Sequence, residues 1–288
     1  MPARRNHLPA REPLPPPGPG EPLHHLLRSA PPRSRPALEA LHRLRRECLS
    51  VPLECREPHI ASARLRFWRQ ELERAGGGRP THPLGAALAA TVAGRRRADA
   101  GLTRLLDAAD DLLALRQPPA AAALEALAAR IGRTSADPVV LHPDLDPGPF
   151  EDAIGTVWAG IVLAEWLADL GGYVRHGCWP VAREDLGPTS GSPGPPAPGD
   201  IRWKAAVAAA ATRARHRIAE GLVCLPRPCP PPLRPTVVAA GITLALLRAV
   251  AREGTRIHTR RCHLTPLRMV WVARRWASGP PARALRRR

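Results

Sequence analysis

An all-α protein is the fold class this sequence predicts, and three observations carry it. Apolar residues recur at helical spacing in segment after segment between Pro36 and Ala277. No convincing stretch shows the apolar–polar alternation of a half-buried strand. Proline and glycine sit mostly where those helical segments begin and end, as at Pro36, Pro83, Pro149, Pro235, Pro266 and Gly76-Gly77-Gly78.

Taken in order, the spacing predicts a first helix over Pro36–Ser50, with Leu38, Leu41 and Leu44 on one stripe and Pro52 as its stop. The clearest amphipathic pattern follows over Ile60–Ala75, where Ala61, Leu65, Trp68 and Leu72 form one face. Leu- and Ala-rich segments at Pro83–Ala93, Gly101–Leu115 and Pro118–Ile131 continue the series. Pro149–Leu170 is apolar on nearly every side, as a helix at the centre of a bundle must be, and Gly171-Gly172 marks its end. Ile201–Leu222, Pro235–Arg252 and Pro266–Ala277 bring the expected total to about nine helices. The proline-rich residues 1–36 read as a disordered arm, 37–277 as one all-α domain interrupted by a flexible loop over 187–200, and 278–288 as a basic tail.

Composition narrows the function. The 288 residues carry 43 Lys+Arg against 25 Asp+Glu, a formal charge of +18, and Lys204 is the single lysine. Such charge fits anionic partners, but nucleic-acid binding also calls for stacking aromatics, and these are 3% of the chain, so no nucleic-acid partner is expected. Arg95-Arg96-Arg97 and Arg286-Arg287-Arg288 read as solubilising charge that can also touch anionic lipid. The start lacks an apolar signal region, and the longest apolar run, Thr236–Leu247, is short for a membrane span, so a cytoplasmic protein, at most peripheral to a membrane, is expected. Six cysteines show neither zinc-finger nor C-x-x-C spacing and read as reduced thiols. No phosphate-binding loop, dinucleotide fingerprint, H-E-x-x-H or G-x-S-x-G is present.

What remains is acidic residues on helices. Glu165 and Asp169, four residues apart in the most apolar segment, lie on one helix face, where two carboxylates can share Mg²⁺ that holds a diphosphate. Without a cation or arginine partner their burial would be costly. A helix end that tilts both acids to water or arginine is the competing reading. His82 reads as a turn residue, and Trp68 and Trp271 as core.

Three stretches, A-L-E-A-L-H-R-L-R-R-E-C-L-S-V-P from Ala37, A-S-A-R-L-R-F-W-R-Q-E-L-E-R from Ala61 and G-R-P-T-H-P-L from Gly78, resemble the squalene/phytoene synthase family. So does V-L-A-E-W-L-A-D-L-G-G-Y-V-R-H-G from Val162, in the same order. The resemblance implies an all-α isoprenoid-synthase-type helical bundle around a central cavity. It implies head-to-head joining of prenyl diphosphates, with Mg²⁺ as cofactor. Whether a reductant such as NADPH is used, and whether Cys178 matters, the sequence leaves open.

Carried over residue by residue, the resemblance places Arg43 on the arginine of the family's R-x-x-D-D-I-V-D motif, with Arg46, Glu47 and Ser50 where its acids stand. In the second motif, R-D-V-G-E-D, Asp169 is kept, while Ala168, Gly172 and Tyr173 replace the arginine and the later acids; Glu165 stands where the family has Asn. The implied ligands of Mg²⁺ are therefore Glu47, Glu165 and Asp169, which would also be the catalytic acids, with Arg43 and Arg46 on the diphosphate. Three functions stay open: a prenyltransferase with a degenerate metal site; a catalytically inactive relative that binds a prenyl lipid or a protein partner, with a respiratory complex I assembly factor of this family as precedent; and charge-driven binding to nucleic acid or an anionic membrane. The first expects Asp169→Asn and Glu165→Gln to abolish turnover without unfolding the chain.

Overall fold

The computed structural model describes residues 15–55, 57–91, 96–116, 119–140, 148–187, 200–253, 256–257 and 261–280. Among them no strand occurs, and every regular element is helical. In chain order the helices are α1 (Pro22–Ser29), α2 (Arg35–Leu49), α3 (Val51–Glu54), α4 (Pro58–Gly76), α5 (Pro83–Thr91), α6 (Arg96–Leu113) and α7 (Ala121–Val140). They continue as α8 (Glu151–Ala168), α9 (Leu170–Arg175), α10 (Arg183–Leu186), α11 (Ile201–Val223), α12 (Arg234–Glu253) and α13 (Pro266–Trp276).

Helix α8 is the axis. Ile154, Val157, Trp158, Ile161, Val162, Trp166 and Leu167 are all buried, and α7, α11 and α12 pack around it. A helix apolar on all sides is stable only when other helices take every side from water. Helix α2 lies across α5, α6 and α7 and presents Leu38, Leu41, Leu44 and Cys48 inward at spacings of three and four. The core is continuous from Leu26 near the start to Trp276 near the end.

Four expectations are corrected. Part of the supposed disordered arm is ordered: α1 opens on Pro22 and buries Leu26 and His25 against α12, while His24 and His25 bond the carbonyls of Pro17 and Pro19. Proline in the first turn lacks only a hydrogen the helix cannot use, so Pro22 starts this helix and does not prevent it. Helix α7 runs on past Gly132, whose small size serves contact with α8: a Cβ there would lie 2.5 Å from the Ala159 nitrogen. Helix α8 ends at Ala168, because Asp169 leaves helical geometry (φ −113°, ψ 14°), and α9 then runs through Gly171-Gly172. Trp271 belongs to the surface, not the core. Residues 1–14, most of the loop over 187–200 and 281–288 lie outside the described residues.

One helix, extended back through the short turn to Pro231–Glu253, is long and apolar enough to cross a membrane. Most of it is buried against the rest of the protein, as the core helix of a bundle would be.

Candidate functional site

The acids picked out by sequence meet arginines. Glu165, in the last turn of α8, is bridged by both terminal nitrogens of Arg45 from α2; Nη1 donates to Oε1 at 3.3 Å and Nη2 bonds Oε2. Such a two-pronged guanidinium–carboxylate contact fixes orientation as well as charge. Asp169, one turn on, forms an ion pair with Arg261, whose Nε lies 3.0 Å from Oδ2. Burial raises the Asp169 pKa, Arg261 offsets part of that, and the Glu165 charge adds to the rise. Glu165 and Asp169 thus share one end of α8 and feel each other's charge.

Glu47 does not join them. It accepts from Nη2 of Arg64 at 2.8 Å, and the same arginine bonds Glu54. Burial opposes the Arg64 charge, but its bonds to Glu54 and Glu47 outweigh it and raise the arginine's pKa. Arg43 donates to Glu39 one turn back, at 3.0 Å and 2.8 Å, and to the Pro15 carbonyl at 2.6 Å. Arg46 reaches Glu21 at 3.2 Å. The two arginines assigned to diphosphate are therefore engaged with the segment leading into α1.

Arg45 is the residue sequence reading passed over. Its side chain is only 8% exposed against 41% for Glu165, so the pair opens to water on the acid's side. The signal was present: Leu38, Leu41, Arg45 and Cys48 follow one inward stripe, so an arginine occupies a core position. Its guanidinium carbon lies 5.9 Å from the centroid of the Trp158 ring. His42, one turn earlier, packs edge-on against the same ring at 5.4 Å. Burial lowers the His42 pKa to about 3, helped by Arg45, so the imidazole is neutral. His42 Nε2 and Arg45 Nε are two buried nitrogens that lack a hydrogen-bond partner. Tyr173, the single tyrosine of the chain, is buried, with its hydroxyl donating to the Leu49 carbonyl at 3.4 Å.

The stretch from Ala61 to Leu84 that carries the strongest family likeness proves to be a structural clamp. Glu71 on α4 is fully buried. It accepts from the backbone nitrogens of Thr81 at 2.8 Å and His82 at 2.7 Å, from the Thr81 hydroxyl at 2.6 Å and from Arg74 at 2.8 Å. Burial works against its charge, but these donors win and its pKa is lowered. His82 is a turn residue, as its sequence context suggests, with Nδ1 accepting from the Leu84 nitrogen and its ring against Trp68. Cys178 is not poised for chemistry: burial pushes its thiol up to about 12, and Sγ lies 3.0 Å from the Leu112 carbonyl.

Among the described residues no three His, Cys, Asp or Glu side chains come together as a metal-binding group. The donor set also argues against a tight Mg²⁺ site, since hard cations need several free carboxylate oxygens and Glu47, Glu165 and Asp169 each face an arginine. The implied metal therefore does not fit the residues as they stand.

The all-α bundle, in which Arg45 of α2 meets Glu165 at the end of α8, has the isoprenoid-synthase fold of its solved neighbours. A crystal structure of a dehydrosqualene synthase with bound ligand superposes with a TM-score of 0.69 at 16% identity, covering 88% of this chain and 89% of that one. The squalene synthase HpnC from Alicyclobacillus acidocaldarius superposes with a TM-score of 0.52 at 20% identity, covering 80% of this chain and 98% of the other. Residues 21–137 match the family model of squalene/phytoene synthase, and the likeness to the two solved structures is one of fold. Among curated protein sequences none matches. The family match ends before α8, so Glu165 and Asp169 at the end of that helix lie outside it.

Proposed function

We infer that this chain is a squalene/phytoene synthase-like protein of isoprenoid metabolism that binds a prenyl diphosphate, with arginine in place of a Mg²⁺–carboxylate cluster. Family and fold support prenyl transfer of the synthase type. The observation that supports the finer reading is the pair of partnerless buried nitrogens, His42 Nε2 and Arg45 Nε, beside an arginine whose other donors are taken up by a half-exposed carboxylate. An arriving diphosphate offers acceptor oxygens of higher charge than Glu165, so Arg45 would exchange partners and His42 could donate its remaining proton. Arg261 and Arg175 act on Asp169 at the same end of α8 and add positive potential.

Thermal unfolding with a non-hydrolysable farnesyl thiodiphosphate tests this. Stabilisation that persists in EDTA and vanishes in Arg45→Met supports arginine-held diphosphate. Stabilisation that appears only with Mg²⁺ and is lost in Asp169→Asn would overturn it in favour of a working metal site.

A second reading, a catalytically inactive family member serving as a lipid carrier or in assembly with a protein partner, is favoured by one observation: each of the three candidate acids is already neutralised by arginine. Labelled farnesyl or geranylgeranyl diphosphate with Mg²⁺, with and without NADPH, separates the two. C30 or C40 hydrocarbon excludes the inactive reading; binding without any diphosphate release supports it.

A further inference from the structure

Helix α13 buries one face and leaves another bare. Met269, Val272 and Trp276 turn inward onto α12, whereas Leu267, Val270 and Trp271, spaced by three and four residues, are 83%, 46% and 60% exposed. Single exposed apolar residues are ordinary, but three on one helical turn, one of them tryptophan, form a contiguous patch that water does not favour. One turn further, Arg274 and Arg275 are exposed, and the Arg275 guanidinium carbon lies 5.4 Å from the Trp271 ring centroid. The chain from Gly254 to Arg288 contains ten arginines and no aspartate or glutamate. Apolar side chains beside cations, in a segment that brings no carboxylate of its own to repel phosphate, are the two halves of a contact with an anionic lipid surface. Tryptophan and arginine are also the side chains that settle at the level of lipid headgroups.

We propose that α13 is an interfacial helix that docks this protein on anionic membranes, with Leu267, Val270 and Trp271 entering the acyl boundary and Arg268, Arg274 and Arg275 engaging phosphates. The docking surface is joined to the acid pair by a short tether. Arg261 holds Asp169, the Cys262 nitrogen donates to the Ala168 carbonyl at 2.9 Å, Leu264 is buried, and Pro266 opens α13. Five residues thus connect the end of α8 to the lipid-facing helix, which would fix how that end faces the bilayer. The inference stands whether or not the bundle binds a prenyl diphosphate.

The full-length protein is sedimented with vesicles of equal phosphatidylglycerol and phosphatidylcholine, and with phosphatidylcholine alone. Binding to the anionic vesicles is expected to be at least tenfold tighter, and to fall at least tenfold in L267S/V270S/W271S and in R274Q/R275Q. Vesicles with brominated acyl chains should quench wild-type fluorescence more than that of Trp271→Phe, which isolates the one indole placed at the interface. Undiminished binding by the triple variant, or bound protein whose Trp271 contribution escapes quenching, overturns the proposal. So does a wild-type dimer in solution that the triple variant converts to a monomer, because a second copy would then cover the patch.

Discussion

His42 is kept neutral inside the bundle, and this sets a pH dependence that can be signed in advance. Its folded pKa of about 3 lies below the ordinary 6.5, so between those values the unfolded chain binds a proton that the folded protein does not. Stability from this residue is therefore constant above pH 6.5 and declines as the pH falls, by about 2 kcal/mol between pH 7 and pH 5. Urea unfolding of wild type and His42→Leu at both values checks it: the variant should lose correspondingly less on acidification, and parallel losses would place the acid limb elsewhere. Glu71 works in a lower window. Its lowered pKa gives stability that is present above the usual carboxylate range and fades as pH drops through its folded value. Glu71→Gln turns acceptors toward the nitrogens of Thr81 and His82 only in part, and should cost about 2 kcal/mol. Gly85→Ala attacks the same contact from the other side, since a Cβ there would fall 2.1 Å from Glu71 Oε1. The double variant should be less unstable than the two single losses added together, because both break one arrangement.

Elements were legible where a single rule decided them. The stripes of α2 and α4 and the all-apolar surface of α8 lie within a few residues of where spacing puts them. The misplaced helix boundaries share a cause: proline and glycine read as punctuation, although their role depends on what packs beside them. Pro22 starts α1, Pro52 sits in the first turn of α3, and Gly132 lies inside α7 because α8 crosses there. That crossing carries its own prediction. A methyl group at residue 132 would meet the backbone of Ala159 and the Gly155 carbonyl at 2.5 Å and 2.7 Å, and backbone cannot rotate aside as a side chain does. Gly132→Ala should therefore destabilise by about 1–3 kcal/mol despite its better helix propensity, read as a lower Tm. An unchanged or higher Tm would mean that α7 and α8 part without cost. The site was half legible for a related reason. Glu165 and Asp169 stand out as acids in an apolar run, but their arginines come from α2 and from the segment before α13, 120 and 92 residues away, and no local pattern announces a partner at that distance.

At the scale of the whole molecule, a bundle with a net charge of +18 has placed an arginine on each of the three candidate acids, Glu47, Glu165 and Asp169. The consequence is a conflict between stability and binding that substitutions can expose. Arg45 is the buried member of its pair and Glu165 the half-exposed one. Removing the acid strands a charge inside the protein, whereas removing the arginine leaves a carboxylate that water can solvate. Glu165→Gln should therefore cost about 2 kcal/mol, or roughly 4–8 °C in Tm for a domain of this size, and Arg45→Met should match or exceed wild-type stability. Affinity for farnesyl thiodiphosphate should run the other way, because Glu165→Gln frees the guanidinium for phosphate oxygens and Arg45→Met deletes it. Calorimetric unfolding and ligand titration of the two variants decide the matter together. Opposite rankings identify Arg45 as an anion-binding group kept in place by Glu165. If Arg45→Met is the less stable of the two and neither variant alters ligand affinity, the pair is a strut between α2 and α8.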